Sequence, residues 1–400
     1  MRVLLSTWGS RGDVEPLAAL AVRLRELGAE VRVAAPPDEE YVTLLARVGL
    51  PLIPLGPSVR SVVAGERPPT ADDAFRLAAE LVAARFETLG RAAEGCDVLL
   101  ATGLMPAGGR DVAESRSIRY VLAGFHLLGL PSRHHPPGRR PGVQSPEGEI
   151  DNRTLWEQDA QRVNALYGPA LNRHRAAIGL PPVDNVRDYV FTDRPWLAAD
   201  ETLCPSRGMT DLDVVQTGAW ILPDDRPLPR EVEAFLEAGA PPIFVGFGSL
   251  VLRNPDLARV AIGAIREHGR RVILSAGRAG LAPIDDGDDC LVVGEINQQA
   301  LFRRMAAVVH HGGAGTTTTA SLAGAPQVIV PQIADQPYWA GRVAELGIGA
   351  AHEGPTPTLE SLSRALDQAL APETGRRATA VAGSIRTDGT TVAAKLLLDA

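Results

Sequence analysis

The segment VVHHGGAGTTTTASLAGAP (308–326) gathers residue types that bind anions. An apolar run ends at His310-His311, and Gly312, Gly313 and Gly315 let the backbone turn tightly and approach a ligand closely. Thr316 to Thr319 then open a helix, whose first N–H groups lack partners within the helix and whose dipole puts positive charge at that end. His311 can donate a ring hydrogen to the same anion. A lone glycine turn would be packing between strand and helix. Two histidines, three glycines and a threonine run together point to phosphate.

Next comes PQIADQPYWAGRV (331–343). Asp335 and Gln336 follow a buried strand, Gln327–Val330, and precede a helix, so they sit at the carboxyl edge of a sheet, where doubly wound folds bind ligands. An acid and an amide side by side can accept from and donate to vicinal sugar hydroxyls. As an isolated pair they would read as a helix cap. After a phosphate loop they read as a sugar clamp.

These residues need a parallel sheet to position them. Arg2–Thr7 is a short apolar strand, GSRGD turns it, and Glu15–Leu27 carries apolar residues at helical spacing with Gly28 to end it. Strands follow at Val31–Ala35, Leu52–Leu55, Val98–Ala101 and Tyr120–Ala123, with a helix over Asp72–Leu89. The same phrase returns as strand Pro242–Phe247, turn GSL, helix Pro255–Glu267 and strand Arg271–Ser275. Asp200–Pro229, rich in Pro, Asp and Gly, reads as a linker with one short strand, Val214–Thr217. Pro131–Asp151 is too irregular for a core element and reads as a functional loop. The tail, Leu359–Ala371, Pro372–Ile385 and Thr391–Ala400, reads as three helices. The α/β chain therefore divides into two doubly wound, Rossmann-like domains facing across a cleft, with boundaries expected at 1–205, a linker 206–229, 230–385 and a final helix 386–400.

Composition sets the outer limits. With 400 residues, 45% hydrophobic and 22% charged, the chain is globular and long enough for two domains. A net charge of −8 argues against a nucleic-acid binder held by phosphate contacts. Three scattered cysteines (Cys96, Cys204, Cys290) give neither a disulfide scaffold nor zinc spacing and suit a reduced cytoplasm. No apolar run reaches the ~18 residues of a membrane span. Arginine supplies nearly all the basic charge, with Lys395 the one lysine, which suggests a GC-rich bacterial genome. Two features imitate metal sites. Asp285, Asp286, Asp288 and Asp289 sit in a Gly-containing turn and read as solvated, and His134-His135 reads as loop surface, because adjacent side chains point apart.

HHGGAGTT, Pro-Gln…Asp-Gln-Pro and the GFGS turn together resemble the donor-site signature of nucleotide-sugar glycosyltransferases with the two-domain GT-B fold. NRHRAAIGLPPV (172–183), FTDRPWLAAD (191–200) and VQTGAWILPDDRPL (215–228) resemble the vancomycin- and teicoplanin-type glycopeptide antibiotic glycosyltransferases in particular. The resemblance implies that Ser249, His311, Gly313, Gly315 and Thr316 hold the diphosphate and that Asp335 and Gln336 hold the sugar. It further implies that Ile296, through its backbone, and Gln298 face the nucleoside. Plant relatives carry a ribose-binding glutamate where this chain has Thr319, so uridine and thymidine stay open as donors, with uridine favoured.

In GSRGDVEP (9–16), Asp13 falls where many relatives place the catalytic histidine, and the resemblance makes it the general base, oriented by Ser10. A carboxylate can accept the acceptor hydroxyl proton. A helix start, however, lowers its basicity, and Asp13 could serve only as a cap. The implied activity is inverting O-transfer of a hexose to a hydroxyl of a peptide aglycone by a monomeric protein without cofactor or metal. A glycosyltransferase-like auxiliary protein without turnover and a nucleotide-sugar epimerase on the same fold are the two rivals.

Overall fold

Two all-parallel sheets carry the strands, and both reverse direction in the same way. The computed structural model describes residues 1–63, 70–138, 150–248, 256–277 and 280–399. Ser249 and positions 139–149 of the irregular stretch fall outside the described residues. The first sheet contains β1 (Arg2–Trp8), β2 (Glu30–Ala35), β3 (Leu52–Pro54), β4 (Val98–Gly103), β5 (Arg119–Gly124), β6 (Trp196–Leu197) and β7 (Val215–Gln216), in the order β3-β2-β1-β4-β5-β6-β7. The second contains β8 (Ile243–Gly246), β9 (Val272–Ser275), β10 (Cys290–Val293), β11 (Ala307–His310), β12 (Gln327–Ile329) and β13 (Gly349–Ala351), in the order β10-β9-β8-β11-β12-β13. A strand covered on both faces must be apolar on both. In β1, Val3 and Leu5 join one core with Leu17 and Leu20, while Leu4 joins another with Leu89 and Leu99.

In each sheet the chain winds outward from one strand and then returns to that strand's other side. The reversals lie between β1 and β4 and between β8 and β11, and the connections leaving the carboxyl ends there diverge into a crevice. Asp13 stands just after β1 and His311 just after β11. The fold thus delivers both to its ligand-binding edges.

Several elements differ from the sequence reading, among them the unread helices Glu39–Arg47 and Gly109–Ser115. The first helix begins at Arg11 and runs to Glu26, with Ser10 as its N-cap. The helix expected over 72–89 is an α-helix only over Ala71–Ala84, followed by a π-helical turn, Arg85–Leu89. That turn buries the Arg85 guanidinium, which donates to the carbonyls of Leu104, Met105 and Ala107 in the connection after β4. A helix of 26 residues, Asn152–Ala177, was not read from the sequence. Its Val163, Tyr167 and Leu171 pack with Ala78 and Val82.

The two halves meet at an apolar seam, where Leu127, Leu130, Leu197 and Leu203 cluster with Ile329, Trp339, Val343 and Ile348. A charged clasp joins them elsewhere: Glu295 accepts from Arg11 (3.3 Å), Arg47 (3.0 Å) and Arg226 (3.3 Å). The chain returns to the first half at its end, where Ala393, Ala394 and Leu397 of the helix Gly389–Leu398 enter the core of the helix Arg11–Glu26. At that return Gly389 lies against Gly218. A Cβ on Gly389 would meet the Ala219 oxygen at 2.3 Å, so only glycine allows the two backbones to cross there.

Candidate active site

His310 and His311 are adjacent and do different work. His310 is fully buried; the Gly312 N–H donates to its Nδ1 (3.1 Å), so its Nε2 carries the proton and donates to Gln327 Oε1 (2.9 Å). Burial pushes its pKa down to about 3, which keeps it neutral and makes it a brace for the turn. The strand alternation sends His311 the other way, its ring at 88° to that of His310. The His311 imidazole occupies a slot between two glycines: a Cβ on Gly248 would sit 3.1 Å from its Cε1, and one on Gly313 only 2.6 Å from its Nε2. Among the described residues its buried Nδ1 has no hydrogen-bond partner. Burial lowers its pKa to about 4, opposed by the nearby Asp335 charge.

Gly313 caps the helix Ala314–Leu322, and the Thr317 N–H is bonded back to the Gly313 carbonyl (2.9 Å). The preceding amides, at Ala314, Gly315 and Thr316, are those that a helix start leaves to an outside acceptor. Gly315 is exposed and Thr316 half-buried at this edge.

Asp335 stands at the N-cap position of the next helix, Gln336–Glu345, without a side-chain capping bond. Its Oδ2 accepts from the indole N–H of Trp339 (2.6 Å). Gln336 Oε1 accepts from the amides of Gln332 (2.7 Å) and Ile333 (2.9 Å), tying down the loop in which Ala334 adopts a left-handed φ of 54°. The Gln336 carbonyl oxygen is thus engaged by its own loop. Only its NH₂ group can serve a sugar, and only as a donor.

Asp13 is the third residue of its helix, and its Oδ2 accepts from the Ser10 N–H (2.7 Å) and Ser10 Oγ (3.2 Å). The cap and the Ser10 contact expected from sequence are both present. Burial nevertheless pushes the carboxyl up to about 6. The Ser10 bonds and His126 lower it, and the charge of Asp335 raises it. Burial therefore outweighs the helix start and restores basicity. Asp335 acts on both Asp13 and His311, so the three groups share one locus built from both domains.

The nucleoside candidates are less convergent. Ile296 packs in an apolar core with Phe302 and Leu301, which leaves only its backbone for a ligand. Gln298 is half-buried at the start of the helix Gln298–Leu301. Its neighbours hold the linker: Asn297 donates to the carbonyls of Asp224 and Arg226, and Gln299 to that of Leu222.

His126 was missed from sequence. It follows β5 at the same sheet edge as Asp13, within its electrostatic reach, and its buried Nδ1 has no partner among the described residues. The signal was available, since a polar residue directly after a buried strand is what marks such an edge. Of the decoys, Asp285 and Asp289 both grip Arg266, which holds Asp285 down at about 2. His135, read as loop surface, is instead buried edge-on to Trp156, whose indole donates to the His135 carbonyl. The missing clue was the long helix that carries Trp156. Among the described residues no group of three or more His, Cys, Asp or Glu is placed to hold a metal ion, and no helix is long and apolar enough to cross a membrane.

A family model described as erythromycin biosynthesis protein CIII-like, C-terminal domain, matches residues 273–391. Three relatives from Amycolatopsis orientalis each align with 100% of this chain and 98% of their own length: glycosyltransferase GtfE at 60% identity, vancomycin aglycone glucosyltransferase at 57% and dTDP-epi-vancosaminyltransferase at 52%. Among solved structures, the glycotransferase of kitacinnamycin superposes with a TM-score of 0.76 at 19% identity, covering 100% of this chain and 98% of that one. Glycosyltransferase VinC in complex with dTDP gives 0.70 at 22%, covering 100% and 99%. The distant structures share the fold, and the relatives share the sequence from end to end: the chain belongs to the vancomycin-group glycosyltransferases, enzymes of GT-B architecture.

Proposed function

We propose that the protein moves a hexose from a nucleoside diphosphate sugar, UDP-sugar favoured, to a hydroxyl of a glycopeptide antibiotic aglycone, in the cytoplasm and by a single inverting displacement. The acceptor oxygen attacks the anomeric carbon, its proton passes to Asp13, and the bond from that carbon to the diphosphate oxygen breaks. The leaving diphosphate meets His311 and the amides at residues 314–316, donors preorganised before reaction begins. Asp335 and the NH₂ group of Gln336 hold sugar hydroxyls, while Ile296 and Gln298 face the nucleoside. What supports this reading is that the Asp335 charge acts on both Asp13 and His311, which sets a carboxylate made basic by burial near the candidate anion site of the other half. The relative named as a vancomycin aglycone glucosyltransferase supports the acceptor class. A relative and a fold neighbour whose names include dTDP make thymidine donors part of the test.

Purified protein is incubated with UDP- and dTDP-sugars, first alone and then with aglycone. Nucleotide release only in the presence of aglycone, with a product of opposite anomeric configuration by NMR, is the expected result. Isomerised donor would identify an epimerase, binding without product an auxiliary protein, and a retained configuration would reject the single displacement. Because the donors above come from the protein, activity should also survive a chelator.

A further inference from the structure

The carboxylate of Asp335 is held from behind. Its Oδ2 takes the Trp339 indole N–H at 2.6 Å, one helical turn along, and Trp339 is 1% exposed, buried in the seam between the two halves. Three residues further on, Arg342 donates to the carbonyls of Thr202 (2.8 Å) and Leu203 (3.2 Å) in the first half. Asp335, Trp339 and Arg342 recur at helical spacing along one face of the helix Gln336–Glu345, and that face docks on the acceptor half. The loop before it is fixed by Gln336 and by the left-handed Ala334, which leaves the torsion of the Asp335 side chain as the free variable. The indole removes it.

We propose that Trp339 is a positioning residue for the donor sugar, and that segment 202–203 of the acceptor half holds it in place. This rests on the reading that Asp335 binds the sugar. With Oδ2 engaged by the indole, Oδ1 is the oxygen left to take a sugar hydroxyl, in a direction set across the domain seam. Donor recognition is therefore shared between the halves, although every donor motif lies in the second.

The test separates the sugar from the nucleotide. Trp339→Phe keeps an aromatic ring in the seam and removes the N–H together with part of the indole's volume, so the free nucleotide and Arg342→Met below serve as the controls for lost packing. It should raise KM for the sugar nucleotide or lower kcat/KM roughly ten- to a hundredfold, the range for a hydrogen bond to a charged group. The inhibition constant of the free nucleoside diphosphate, which has no sugar, should stay within about twofold of wild type, well below that range. Combined with Asp335→Asn, Trp339→Phe should add little, as for two residues acting through one contact. Arg342→Met, which touches nothing at the sugar, should shift the same constant in the same direction. A wild-type kcat/KM in Trp339→Phe, equal weakening of free nucleotide and sugar nucleotide, or full additivity with Asp335→Asn would each overturn the proposal. An unchanged constant in Arg342→Met would overturn the part given to the acceptor half, including where Trp339→Phe fails to fold. If Asp335→Asn itself binds and turns over donor normally, the underlying sugar reading fails instead.

Discussion

At neutral pH the half-buried Asp13 carboxylate is charged, although its surroundings favour the proton up to a pH of about 6. A free aspartate titrates at 3.8, so the folded protein binds this proton more tightly than the unfolded chain does. Stability from this group is complete below pH ~4 and is lost as pH rises through 6, a cost of about 3 kcal/mol above it. Asp13→Asn keeps the shape and the capping ability and loses that cost. Its Tm should match wild type near pH 4 and exceed it from pH 6 upward, while kcat falls about 10²–10⁴-fold. A variant that is no more stable at pH 7.5 than wild type, or that keeps a tenth of the turnover, would return Asp13 to a pure cap. The same group predicts an acid limb near pH 6 in the kcat/KM profile, absent from the Asn variant. His311→Ala removes the neutral imidazole proposed to meet the diphosphate, so donor binding and turnover should fall about ten- to a hundredfold. Unchanged kinetics would make it a packing residue. Asp13 and His311 were legible because each follows a buried strand within a glycine turn. His126 has the position without the turn, and it went unread.

At the scale of elements, the glycine turn after β11 depends on what is missing from it. In Gly313→Ala the new methyl would stand 2.6 Å from His311 Nε2, so the imidazole must swing out of its slot or the turn must shift. The variant should fold, since the strand and helix on either side are untouched, and should lose affinity for nucleoside diphosphate by calorimetry. Affinity equal to wild type would mean that the ring has another place to go. Most strands of both sheets were readable because doubly covered β-strands are uninterrupted apolar runs, whereas β6 and β13, two and three residues long, were not. The helix Asn152–Ala177 was not, because its buried face mixes Trp156, Asp159, Val163, Tyr167 and Arg175 with no clean apolar stripe, and because the helix carries Pro169 in its interior. The break at Arg85 was equally hidden. A sequence shows an arginine at a helical position and not the three carbonyls it turns inward to reach.

At the scale of the whole molecule, the clasp on Glu295 and the seam around Trp339 join the halves at separate places. Burial raises the Glu295 pKa, yet Arg11, Arg47 and Arg226 outweigh it and hold the carboxyl at about 2, so the clasp stays charged at any working pH. Hybrids with relatives test how the halves exchange. One that takes residues 1 to about 215 from one parent leaves the helix Gly389–Leu398 foreign to the core of Arg11–Glu26. Misfitted side chains there cost about 1–3 kcal/mol. A hybrid in which both 1–218 and 389–399 come from one parent should melt higher than the single-junction version, and equal Tm values would show that this helix is interchangeable. The crossing of Gly218 and Gly389 gives the reason. Where a chain departs and comes back at one point, everything between is an insertion with its two ends already joined. In that sense the first half is one unit that the second half interrupts, and the piece to exchange is a closed loop of chain with two seams to cut, both at the same pair of glycines.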